Sequence, residues 1–154
     1  MREFETDSCT EPITLILNSM GGSVSDGFFL AHYLTTYSKE LNIIVTGCAA
    51  SMGAVILCGG GKNPNVHRMC FPSTYGLIHD GYITLSTNES KTASDIMAFN
   101  DKVDLQIRDF ILSNTNITAE QYDAQTRHQW FLTAEEMKEL NLIDEIIGSD
   151  NNDN

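Results

Sequence analysis

Two stretches of this chain repeat one order of residues: a short β-favouring run, a cluster of small turn residues, then apolar positions at helical spacing. In the first, Ile13-Thr14-Leu15-Ile16-Leu17 runs into Asn18-Ser19-Met20-Gly21-Gly22-Ser23. From Val24 onward Phe28, Leu30, Ala31, Leu34 and Tyr37 recur at the interval of a helix, with Ser23 or Ser25 as its cap. In the second, a strand over Asn42 to Thr46 leads to a turn over Gly47 to Ala50, a helix from Met52 to about Leu57, and the loop Gly59 to Asn65. Strand and helix alternating in units of about thirty residues predict a parallel α/β sheet with right-handed crossovers. Reacting groups on such a sheet collect at the carboxyl ends of its strands. Both the Gly21-Gly22 turn and Ser51 fall at such ends.

Further along, Arg68 to Phe71 and Tyr75 to His79 read as two more short strands, the second carrying His79 to the same edge. Tyr82 to Ser86 reads as extended. Ala93 to Leu112 reads as a long helix, with Ile96, Phe99, Val103, Ile107, Phe110 and Ile111 as apolar positions, and should project beyond a small sheet. Thr118 opens a short helix, and Thr133-Ala134-Glu135-Glu136 is a capping box for a helix to about Leu140. Leu142 to Ile147 reads as a closing strand. One domain over residues 1–147 is expected, followed by a disordered tail over residues 148–154 that has nothing to bury.

Composition narrows the function. The net charge is −12, and the nine Lys and Arg are scattered singly, so no basic stripe exists to neutralise phosphates and no nucleic-acid partner is expected. No apolar run reaches the length of a membrane helix, and the acidic start Met1-Arg2-Glu3-Phe4-Glu5-Thr6-Asp7 is unlike a signal peptide. A cytoplasmic protein away from the membrane is the expectation. Cys9, Cys48, Cys58 and Cys70 form no C-x-x-C pair and suit buried thiols in a reducing compartment. Neither they nor His32 and His67 match a zinc spacing, so no metal is expected.

Acyl transfer by a serine needs a hydroxyl, an imidazole to take its proton, and amides aimed at the oxyanion. Ser51, His79 and the amides of Gly22 and Met52 could supply these, with Gly21 and Gly22 leaving room for a peptide. Each has an ordinary reading as well: a glycine pair as a tight turn, a serine as a helix cap, a histidine as a strand end. Only their combination at the strand ends raises them above it.

Four segments then resemble, in order and in approximate spacing, the proteolytic subunit of Clp proteases: Ile16 to Val24, Gly47 to Ala54, Ile78-His79, and Phe131 to Glu136 followed by Leu142-Ile143-Asp144. The resemblance implies a crotonase-like, Clp-type α/β fold of repeated β-β-α layers, with a protruding strand-helix handle at about residues 80–115 through which rings stack. It implies Ser51 as nucleophile, His79 as general base, and Gly22 and Met52 as oxyanion amides. Substrate would lie along Gly21, Gly81 and Tyr82 as an added strand. It further implies a serine endopeptidase that cuts extended, unfolded polypeptide inside homo-oligomeric rings, fed by an AAA+ ATP-driven unfoldase and needing no cofactor.

Departures from the pattern matter too. Gln129 stands where the family places the aspartate that orients the histidine. A Gln carbonyl can hold the useful tautomer but brings no charge to the imidazolium. Asp123 lies six residues earlier, and Asp80 follows the histidine with its side chain on the opposite face. About a dozen residues precede the first motif, so the gating loop and first helix of the family are expected to be missing or supplied from outside the chain. These departures motivate a second reading, a catalytically impaired assembly or regulatory subunit of a mixed ring. Acyl-thioester chemistry, used by crotonase relatives, is a third, disfavoured by the placement of Ser51 and His79.

Overall fold

The structure of the protein is a computed structural model, and it describes residues 11–81 and 90–149. Along them run β1 (Ile13–Ser19), α1 (Val24–Thr35), β2 (Leu41–Ala50), α2 (Met52–Gly59), β3 (Val66–Cys70) and β4 (Tyr75–Ile78). After them come α3 (Ser90–Asn114), α4 (Ala119–Gln125), β5 (Trp130–Leu132), α5 (Ala134–Glu139) and β6 (Glu145–Ile146). The extended segment read at Tyr82 to Ser86, and the tail from Asp150, lie outside the described residues.

The sheet is parallel except at one edge, as the alternation of elements predicts. β2 is its spine: β1 pairs along one side of it, while β3 takes the first half of the other side and β4 the second. β6 adds to β3 in parallel, and β5 adds to β4 antiparallel. Leu41, Ile43 and Val45 of β2 are fully buried, the pattern of a strand covered by helices. α1 and α2 pack on it and on each other, so closely that Gly59 meets the backbone of Ala31 with no room for a side chain.

Several boundaries differ from the sequence reading, two of them for reasons that lie in the tertiary structure. Gly47 to Ala50 is strand rather than turn: Cys48, Ala49 and Ala50 pair with Tyr75, Gly76 and Leu77, and Asn18 at the β1 bulge accepts the Cys48 N–H at 3.2 Å. Small residues there are a packing requirement rather than a break. The closing strand is only Glu145–Ile146, because the Leu142 and Ile143 amides donate to the Met137 carbonyl at the end of α5 and Asp144 turns to Arg68.

The long helix is five residues longer than read, Ser90–Asn114 instead of Ala93 to Leu112. A helix of 25 residues is about 37 Å long. Its last turns bury Ile107, Phe110 and Ile111, whereas Met97, Phe99 and Leu105 are more than half exposed. The capping box read at Thr133 forms with Glu136 and opens α5, and Thr118, read only as a helix start, makes a second one with Gln121 at α4. Ser23 caps α1, accepting the Asp26 N–H.

Candidate active site

Ser51 stands at the junction of β2 and α2 with φ 54° and ψ −123°, torsions that a residue with a side chain adopts at a cost of about 1–3 kcal/mol. The junction is pinned from both sides. The Ser51 N–H donates to Leu77 of β4 at 2.8 Å, and its carbonyl accepts the Ala54 and Val55 amides of α2 at 3.0 and 3.2 Å. Although Ser51 occupies the cap position of α2, its hydroxyl makes no capping bond, so the ordinary reading of a serine before a helix does not account for it.

Gly21 backs this turn. Its φ is +99°, its N–H donates to Ser19 Oγ at 3.1 Å, and a Cβ there would stand 2.7 Å from Ser51 Cβ and 2.9 Å from the Ala50 carbonyl oxygen. Gly22, with φ +147°, has open space where its Cβ would be. Gly22, Ser51, Met52, His79 and Gly81 line one cleft of about 290 Å³. Its apolar walls include Val24 of α1, Val55 of α2, and Ile107 and Ile111 of α3. Four of the residues named for catalysis or oxyanion binding therefore come together, and the first-turn amides of α2 give that end of the cleft a partial positive charge. Tyr82 lies outside the described residues.

His79 follows directly on β4 and is half-buried. Its Nδ1 lies 2.6 Å from the backbone carbonyl oxygen of Asp80. A carbonyl can only accept, so the bond puts the imidazole proton on Nδ1 and leaves the Nε2 lone pair to act as a base. Gln129 is exposed and immediately precedes Trp130, whose partner on β4 is Ile78, the residue before His79. Asp123 forms a two-pronged ion pair with Arg108, at 2.6 and 2.8 Å, which holds its carboxyl below the usual carboxylate range and α4 against α3.

The sequence reading overlooked the Asp80 carbonyl and Asp104. Asp104 lies on α3 one turn before Ile107, a wall of the cleft, and its carboxylate stands against Gly81. Burial first, then the neighbouring Asp80, raise its carboxyl above the usual range. Helical spacing from Ile107 and Ile111 was the signal that could have found it. Among the described residues no group of side chains is arranged to hold a metal ion, and no helix is long and apolar enough to cross a membrane.

Comparison with known proteins gives the family and the fold. Residues 3–150 match the Clp protease family. The ATP-dependent Clp protease proteolytic subunit 2 of Prochlorococcus marinus strain MIT 9312 is 32% identical over 151 residues, spanning 96% of this chain and 71% of that protein. The same subunit of strain MIT 9313 is 31% identical over 155 residues, spanning 98% of this chain and 74% of that protein. A solved structure of a ClpP1 mutant from Listeria monocytogenes superposes with a TM-score of 0.75 at 23% identity, over 90% of this chain and 75% of that one, and so shares the fold. The chain belongs to the Clp protease family and is a serine endopeptidase by class.

Proposed function

We propose that this chain hydrolyses extended, unfolded polypeptide by acyl transfer at Ser51. Ser51 Oγ attacks the scissile carbonyl, His79 Nε2 takes its proton and returns it to the leaving amine, and the amides of Gly22 and Met52 bind the oxyanion. One observation carries the reading: a serine held at positive φ, its hydroxyl unspent on the helix it precedes, shares a cleft with a histidine whose Nε2 is left as the acceptor. The apolar walls Val24, Val55, Ile107 and Ile111 suit an uncharged side chain before the cleaved bond. Assembly into rings through α3, with an ATP-driven unfoldase supplying substrate, extends the proposal. The exposed Met97, Phe99 and Leu105 give that helix an apolar surface for a second copy.

The test is hydrolysis of a fluorogenic peptide by the purified protein. Ser51→Ala should abolish it, and Gln129→Asp should raise it about tenfold or more, because a carboxylate at the position that the family gives to the triad acid would stabilise the imidazolium. Hydrolysis that survives Ser51→Ala overturns the proposal. A second reading, an impaired assembly or regulatory subunit of a mixed ring, is favoured by one observation, the uncharged and exposed Gln129. It predicts no hydrolysis by the folded protein alone, and ring formation only together with an active homologue.

A further inference from the structure

With an amide at position 129, charge to stabilise a protonated His79 has to come from another part of the fold. The imidazole Nδ1–H donates to the Asp80 carbonyl at 2.6 Å. At the other end of that same peptide unit, the carboxylate of Asp104 stands against Gly81, whose N–H lowers its proton affinity. The approach is close: a Cβ on Gly81 would stand 2.8 Å from Asp104 Oδ1. On the far side, Asn100, one turn earlier on α3, donates to Asp104 Oδ2 at 2.9 Å and fixes the carboxylate's rotation.

We propose that Asp104 is a positioning residue for His79, its carboxylate acting through the Asp80–Gly81 peptide to orient the imidazole and stabilise the imidazolium formed as Ser51 loses its proton. The proposal rests on the peptidase reading above. A negative charge beside the N–H end of a peptide polarises it, so the nearby carboxylate makes the Asp80 carbonyl a stronger acceptor. The direct attraction between the carboxylate and an imidazolium acts in the same sense. No covalent bond changes at Asp104, and the proton stays on Nδ1.

The surroundings of Asp104 are mixed in charge. Asp80 and His79 face it from the strand end, Asp101 and Arg108 from its own helix, and Tyr122, Asp123 and Arg127 from α4 and the residues after it. Arg108 is committed to Asp123, so Asp104 keeps its charge for the peptide. Burial and Asp80 raise its proton affinity, which makes it a stronger hydrogen-bond acceptor than an exposed carboxylate.

The experiment is a pH titration of the His79 imidazole by NMR, assigned with His79→Gln, beside the pH profile of kcat/KM on a fluorogenic peptide. Asp104→Asn keeps the shape of the side chain against Gly81 and removes the charge. It should lower the His79 pKa by about half a unit or more and kcat about three- to tenfold, with KM little changed. Asp101→Asn, which removes an equal charge without touching Gly81, should leave kcat unchanged. Should Asp104→Asn fold poorly, Asp104→Glu, which keeps the charge but displaces it, is expected to give an intermediate titration. An unmoved His79 titration and kcat in folded Asp104→Asn, with hydrolysis still lost in Ser51→Ala, overturns the role of Asp104 alone. Hydrolysis that persists in Ser51→Ala instead overturns the peptidase reading, and the role with it.

Discussion

The glycine pair beside Ser51 separates two physical demands that look alike in the sequence. Gly21 is required twice over, by φ +99° and by contact with the Ser51 turn. Gly21→Ala should cost about 2–4 kcal/mol in urea denaturation and most of the peptide hydrolysis, because both the strain and the overlap fall on the serine. Gly22 has a similar torsional need but faces open space. Gly22→Ala should cost only about 1 kcal/mol of stability, while kcat/KM falls about a hundredfold if its amide serves the oxyanion. Equal losses of stability and equal losses of activity in the two variants would refute this division.

At the scale of elements, β3 is joined to the end of the chain by a buried cation. Arg68 is 1% exposed, yet each of its guanidinium nitrogens is answered: Nε and Nη2 bond Asp144, and Nη1 and Nη2 bond Asn141. The Asp144 carboxylate, 2.6 Å from the guanidinium, also accepts the Arg68 backbone N–H at 2.7 Å. Removing one partner leaves the guanidinium buried and unpaired, so Asp144→Ala should lower the unfolding free energy by about 3 kcal/mol. Chemical denaturation measures it, and a change under about 1 kcal/mol would mean that water replaces the carboxylate. Asn63 does the equivalent for α1: its amide donates to the Leu34 and Tyr37 carbonyls at 2.7 and 2.9 Å and so closes the helix end.

The whole molecule has an alkaline weakness built into its core. Burial pushes the Cys58 thiol from its usual value near 9 up to about 12 and the Cys70 thiol up to about 11, and it raises the Tyr122 hydroxyl as well. In each case the folded state holds the proton to higher pH than the unfolded chain does. Between the unfolded and folded values the unfolded state therefore binds fewer protons, and stability falls as pH rises. Thermal unfolding under reducing conditions should show Tm constant from pH 7 to about 8 and falling from about pH 9 upward. A flat Tm to pH 10.5 would contradict the burial of these thiols. Cys58 and Cys70 should likewise resist alkylation in the folded protein.

What the sequence determined by itself was whatever depends on neighbours along the chain. Residue order set the strand-turn-helix units, both capping boxes, the apolar face of α3, and the arrival of Gly22, Ser51 and His79 at strand ends. Those rest on torsion preferences and on spacings of two and 3.6 residues, and each is written within a few positions. Tertiary structure decided the rest. Gly47 to Ala50 could not be told from a turn, because only pairing with β1 and β4 makes a strand of small residues stable. That the Ser51 hydroxyl is left off its helix follows from a backbone held by Leu77, twenty-six residues away by number. Asp104 reaches the peptide after His79 only because α3 folds back across the sheet edge. Charge and hydrogen bonding act through space, so a carboxylate distant in the chain can stand near an imidazole while nothing in the intervening residues announces it.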